Sequence, residues 1–177
     1  MKGTIVKGIA GFYYVKAGEK IYQCKARGIF KKDGITPAVG DEVRIEKLDE
    51  DEAVIDEILP RRNSFIRPPI ANVDCFVIVV AAAKPDPNPD IIDKFLVMAE
   101  KNQTDIIICI NKIDLAAEEK REELEGIYRG LYPVVSVCGR TGQGIRELAD
   151  LMKNRKCALA GPSGAGKSTL LNRLQSR

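Results

Sequence analysis

Two short stretches carry the residue types from which phosphate and base recognition are built. Gly161-Pro162-Ser163-Gly164-Ala165-Gly166-Lys167-Ser168 has the spacing of a phosphate-binding loop. Its three glycines accept backbone angles barred to other residues, so peptide N–H groups can turn inward onto phosphate oxygens. The N-terminus of a following helix adds about half a positive charge. In that setting Lys167 reaches the β- and γ-phosphates, the Ser168 hydroxyl ligates Mg²⁺ and Thr169 helps to hold the α-phosphate. The alternative is a plain glycine-rich turn between a strand and a helix. The apolar run Lys156–Ala160 before the loop, the spacing and the Lys-Ser pair oppose it.

The second stretch is Asn111-Lys112-Ile113-Asp114. An ionised Asp114 offers two acceptors, which match the ring N–H and exocyclic amine of guanine. Adenine presents an acceptor where guanine presents that N–H, and an unpaired buried polar group costs about 1–3 kcal/mol. The Lys112 stem can cover one face of the base, and Asn111 can tether neighbouring loops. The competing reading is Asp114 as the cap of a helix starting near Leu115. A weaker element is Cys138-Gly139-Arg140-Thr141-Gly142, a loop whose backbone N–H could support the guanine carbonyl. The base reader precedes the phosphate loop in this chain, the reverse of the usual order.

The elements that must position these residues are legible from hydrophobic periodicity. Val73–Ala81, Asp105–Ile110, Pro133–Val137 and Lys156–Ala160 are apolar runs expected of strands buried on both faces. Between them, Asp90–Lys101, Glu118–Tyr128 and Ile145–Lys153 carry helical spacing, and a fourth helix is expected from Lys167. This alternation predicts a mostly parallel sheet with helices. Residues 1 to about 60 differ, with short strand candidates at Thr4–Val6, Phe12–Val15, Tyr22–Ala26, Val43–Ile45 and Val54–Ile58. Five short strands in that length fit an OB-like barrel, and periodicity alone also allows an SH3-like one. The proline-rich stretch between predicts a linker over 63–72. The expected class is therefore α/β: a barrel at 1–62, then a nucleotide-binding domain at 73–177.

Composition narrows the setting. The 177 residues are 45% hydrophobic and 30% charged with a net charge of +3, a globular balance that permits contact with nucleic acid without demanding it. No apolar run approaches a membrane span and the first residues lack a signal-peptide core, which predicts a cytoplasmic protein without a membrane partner. Five cysteines are scattered without a Cys-x-x-Cys pair and there is no histidine, so neither a zinc site nor a disulfide framework is expected in these residues. Cys75, Cys109 and Cys157 lie in apolar runs and are expected as small buried hydrophobes.

The order of guanine reader, Cys138–Gly142 loop and phosphate loop behind a small β-barrel resembles the circularly permuted, ribosome-small-subunit-dependent GTPases of bacteria. Arg67-Pro68-Pro69-Ile70-Ala71-Asn72-Val73-Asp74, Pro85-Asp86-Pro87-Asn88-Pro89 and Asp93-Lys94-Phe95-Leu96 add to the likeness, which covers the whole chain. The Cys138-Gly139-Arg140 stretch stands where such GTPases place Ser-Ala-Lys. The resemblance implies hydrolysis of GTP to GDP and phosphate, with Mg²⁺, in late maturation of the small ribosomal subunit. Its implied nucleotide contacts are Asn111, Lys112, Asp114, Cys138, Gly139 and residues 161–169, with Lys167 and Ser168 catalytic. It also implies ribosomal RNA on the barrel, through Lys25, Arg27, Lys31, Lys32, Arg61 and Arg62 for phosphates and Tyr13, Tyr14 or Phe30 for stacking. Aromatic residues in a small barrel also serve as core, and Asp49–Glu52 is acidic and expected to face away from RNA.

The family continues past its phosphate-loop helix with a switch threonine, an Asp-x-x-Gly motif, a zinc-binding segment and a helical tail. None of these follows Ser168, so an amino-terminal fragment is expected, defective in hydrolysis and open along the edge at Lys156–Ala160. Two other readings stand beside this one. The chain is a binding module for GDP or RNA without turnover, or it is a P-loop ATPase or small-molecule kinase, which Asn111–Asp114 opposes.

Overall fold

The computed structural model describes residues 1–28, 30, 34–66 and 69–176, so Lys31 and Lys32 lie outside the described residues. The chain divides into two compact units, Met1–Val73 and Asp74–Arg177.

The first unit is a closed five-stranded barrel. Its strands are β1 (Lys2–Ile9), β2 (Phe12–Ala17), β3 (Lys20–Ala26), β4 (Glu42–Lys47) and β5 (Glu52–Ile58), ordered β1-β2-β3-β5-β4. β1 closes on β4, and β3 runs parallel to β5, which is the OB arrangement and removes the SH3-like alternative. Strand alternation explains the core. Ile5, Val15, Cys24, Val43, Ile45 and Ile55 point inward and are at most 2% exposed. β1 turns into β2 through Ala10 and Gly11, both at positive φ, as a two-residue hairpin of this twist requires.

The expected linker belongs to this first unit. Ser64–Phe65 (β6) and Ile70–Ala71 (β7) pair antiparallel, and the Ala71 N–H donates to Val39 O at 2.9 Å. The Asn63 side chain spans the Val73 peptide, accepting from its N–H and donating to its carbonyl at 2.9 Å each. Asn72, at φ 56°, accepts the Arg62 N–H and donates to Gly40 O at 3.1 Å. Proline content favours extended backbone but does not report side-chain amides that fasten it.

The second unit is a four-stranded parallel sheet in the order β10 (Val134–Ser136), β9 (Asp105–Asn111), β8 (Cys75–Ala81) and β11 (Cys157–Ala160). All seven residues of β8 are buried, which is why its sequence is a continuous apolar run rather than an alternating one. Helix α1 (Pro89–Lys101) starts with Pro at its first position, and Asn88 accepts the Ile91 N–H at 3.3 Å. It buries Ile92, Leu96 and Ala99. Helices α2 (Glu118–Tyr128), α3 (Ile145–Met152) and α4 (Lys167–Gln175) complete the unit. One core cluster joins Val77, Val79, Ile107 and Val137 to Leu148 of α3 and Leu170 of α4, so sheet packing fixes the helix that follows the phosphate loop.

β11 lies at an edge of the sheet, paired with β8, and its residues Cys157, Ala158 and Leu159 are half-buried. Cys157 therefore departs from the expected full burial, whereas Cys75 and Cys109 are 0% exposed. Burial pushes the Cys109 thiol up to about 12 and the Cys24 thiol up to about 11, which makes both inert packing groups. Among the described residues no helix is long and apolar enough to cross a membrane, and no cluster of metal-ligating side chains occurs.

Candidate nucleotide site

The site forms at the carboxyl ends of the parallel strands, where open α/β sheets bind ligands. β11 ends at Ala160 and the phosphate loop follows, with Gly161 at φ 140°, Gly164 at φ 79° and Gly166 at φ 94°. Gly161 passes against the central strand: a Cβ there would stand 2.3 Å from Val79 O. The Lys167 ammonium folds over the loop, donating to Gly161 O at 2.9 Å and Pro162 O at 2.7 Å. It thus stands at the loop mouth, where phosphate charge would be met. Ser168 and Thr169 open the first turn of α4 and are exposed beside it.

β9 delivers the candidate base reader, Asn111–Asp114. Asn111 is its last residue and is 2% exposed. Its amide donates to Ala165 O at 2.9 Å and its carbonyl oxygen accepts the Gly139 N–H at 3.0 Å. One side chain therefore fastens three loops together. Gly166 is required for this approach, since a Cβ would stand 2.3 Å from Asn111 Nδ2. Lys112 takes a left-handed φ of 62°, a strained setting for a residue with a Cβ and one found where function fixes the backbone. Asp114 lies inside a short 3₁₀ turn, Ile113–Leu115, rather than capping a helix.

The Asp114 carboxylate accepts the Cys138 thiol at 3.1 Å on Oδ1 and the Arg140 guanidinium at 2.9 and 3.3 Å on Oδ2. The thiol first, then the guanidinium, hold its carboxyl below the usual range, and the same pair raises Arg140. Lys112, Asp114, Gly139, Arg140 and Thr169 line a cavity of about 270 Å³. The expected backbone donors of the 138–142 loop have protein partners: the Cys138 N–H meets Gln143 O at 3.0 Å and the Gly139 N–H meets Asn111. Sequence reasoning missed Arg173 on α4. It donates to Gly139 O at 3.3 Å and Arg140 O at 2.5 Å, clamping that loop. The signal available was its spacing of four from Thr169, which places both on one helix face.

The barrel residues divide differently from the expectation. Arg61 is held inside its own unit, on the fully buried Asp41 carboxylate at 2.7 Å and on Thr36 O at 2.8 Å. It thereby braces its own unit. Phe30 is 8% exposed and belongs to the barrel core, so it offers no stacking face. Arg27 is matched by Glu46 and Asp56 at 2.5 and 2.9 Å. Arg62 is exposed and donates to Asn72 O at 3.5 Å. Lys25 is exposed over the Phe12 ring at 5.2 Å, and Lys7 stands over Tyr14 at 5.3 Å, which leaves cation and aromatic together on β1, β2 and β3.

The sequence model of the RsgA GTPase family matches residues 58–177, and that of the RsgA N-terminal domain matches residues 2–55. The chain belongs to the RsgA GTPase family. Curated RsgA relatives carry the name small ribosomal subunit biogenesis GTPase RsgA. The protein of that name from Alkaliphilus metalliredigens is 46% identical over 98% of this chain and 60% of its own length. The one from Carboxydothermus hydrogenoformans is 48% identical over 98% and 60%. This chain thus spans about 60% of the length of the RsgA relatives it matches. Among solved structures, YjeQ from Thermotoga maritima superposes with a TM-score of 0.88 at 40% identity, covering 98% of this chain and 64% of that one. YloQ, described as a circularly permuted GTPase, gives 0.79 at 36% identity, covering 97% and 63%. The RsgA assignment accords with a reader that precedes its phosphate loop in the chain.

Proposed function

We propose that residues 74–177 bind a guanine nucleotide and that the protein hydrolyses GTP to GDP and phosphate in late maturation of the small ribosomal subunit, in the cytoplasm. The observation that carries this reading is Asn111, whose two hydrogen bonds bring the reader, the Gly139 loop and the phosphate loop into one site. In it Asp114 recognises the base edge, the Lys112 stem covers a face, and the N–H groups from Ser163 to Thr169 face phosphate. Lys167 offsets the charge that develops on the transferred phosphoryl. Magnesium fits this donor set: the exposed Ser168 hydroxyl beside Lys167 is one ligand, and Mg²⁺ takes its others from phosphates and water. The exposed Lys25, paired with Phe12 on the strand that carries Tyr13 and Tyr14, and the exposed Arg62 support ribosomal RNA as partner of the barrel.

Calorimetric titration of this chain with Mg²⁺-GDP against Mg²⁺-ADP tests the nucleotide assignment, and turnover with and without small subunits tests the rest. GDP-selective binding is expected. Preference for ADP overturns it in favour of an ATPase or kinase. A pH dependence follows from Asp114. Its carboxyl is held below the ordinary value, so the ionised, two-acceptor form persists on acidification and is lost only as pH falls through the depressed value. The ratio of GDP to IDP affinity, in which the terminal-phosphate ionisation near pH 6 cancels, should therefore stay flat from about pH 8 to about pH 5. A decline centred above that lower limit would contradict Asp114 as the base reader.

A further inference from the structure

Both oxygens of the carboxylate that would read guanine already carry donors, and one of the donors is a guanidinium. Arg140 Nε and one terminal nitrogen lie 3.3 and 2.9 Å from Asp114 Oδ2. A guanidinium presents neighbouring coplanar N–H groups, the same chemical pattern that guanine presents through its ring N–H and exocyclic amine. We propose that Arg140 is an internal competitor for the guanine base at Asp114, and that it sets nucleotide affinity. The inference rests on the nucleotide reading above.

Three features support it. Arg140 borders the cavity that Asp114 opens into, so a base cannot reach the carboxylate without moving it. Its backbone is fixed while its side chain is not: Arg173 holds Arg140 O and Gly139 O, but the Arg140 side chain is 77% exposed. It also borders a second cavity of about 360 Å³ with Asn172, Arg173 and Ser176, which gives the displaced guanidinium somewhere to go. Guanine replaces the N–H donors that leave Asp114, whereas adenine offers an acceptor there and would leave the carboxylate unpaired. The Cys138 thiol stays on Oδ1 in the unliganded pair and adds a weaker donor to the same competition.

The test is titration of the full chain and its Arg140→Ala variant with Mg²⁺-GDP, with Mg²⁺-pyrophosphate as a probe of the phosphate loop alone. Removing an exposed pair of this kind should tighten GDP about threefold and leave pyrophosphate unchanged. The gain should vanish in an Asp114→Ala background, and it should shrink as added salt screens the pair in the wild type. Weaker or unchanged GDP binding in Arg140→Ala overturns the proposal, as does an equal gain without Asp114. If neither wild type nor variant prefers GDP over ADP, the nucleotide reading fails and the inference falls with it. GDP selectivity without tightening sinks the competition alone.

Discussion

Gly161→Ala should eliminate measurable Mg²⁺-GDP binding and destabilise the second unit by about 3 kcal/mol or more. Two costs coincide at this residue. Its φ of 140° lies where side chains with a Cβ are strained, and the new Cβ would stand 2.3 Å from Val79 O and 3.2 Å from Val79 C. Those are backbone atoms of the fully buried central strand, so no rotamer change relieves the overlap. The loop must lift away from β8 and carry with it the N–H groups that face phosphate. Gly164 in the same loop is the control. It also has a positive φ of 79°, but its Cβ would meet the Pro85 ring at 3.4 Å (Cδ) and 3.9 Å (Cγ), ordinary contacts. Gly164→Ala should therefore bear the backbone term alone, about 1–2 kcal/mol. Urea unfolding followed by circular dichroism, with GDP titration alongside, separates the two. Equal stability losses would remove the steric account of Gly161.

Gly161 also marks what a sequence can and cannot display. A strand, a glycine loop and a helix are local in the chain, and so are the buried apolar runs and the Asn-Lys-x-Asp pattern. Each was legible because backbone conformation and hydrophobic period are set within a few residues. What was hidden depends on partners far along the chain. Asn111 reaches Ala165 across 54 positions, Arg140 reaches Asp114 across 26, and Arg61 reaches Asp41 across 20. A lone arginine in a basic stretch therefore shows nothing of the buried carboxylate it serves. The same holds for 63–72, where prolines signal extension and Asn63 and Asn72 supply the fastening. Phe30 went to the core for a related reason: a small barrel has few large apolar residues to fill it, and this one is packed with Ile5, Val15 and Ile55.

Asp41→Ala should lower the stability of the barrel by about 3–5 kcal/mol. The carboxylate is 0% exposed, and both of its oxygens accept hydrogen bonds: from the Ala38 N–H at 2.7 Å and from the Arg61 fork at 2.7 Å on each oxygen. Around it the backbone is already tied down, with Ile5 N–H on Asp41 O at 2.9 Å and Gly40 N–H on Ile5 O at 2.8 Å. Truncation removes the charge and leaves Arg61, whose side chain is only 27% exposed, facing a cavity instead of its partner. Small domains hold about 5–15 kcal/mol in total, so a loss of this size leaves little margin. The same reasoning fixes the rescue. Replacing both partners, as Asp41→Ala with Arg61→Met, removes the stranded cation and should recover part of the loss, because the cost lies in breaking the pair more than in lacking it. Hydrogen exchange of the barrel amides reads this unit apart from the other. If Asp41→Ala leaves the β1 and β4 amides as protected as in the wild type, Asp41 is not what holds the barrel closed. If the double variant is as unstable as the single one, the loss comes from the missing acceptor at Ala38 rather than from the unpaired guanidinium.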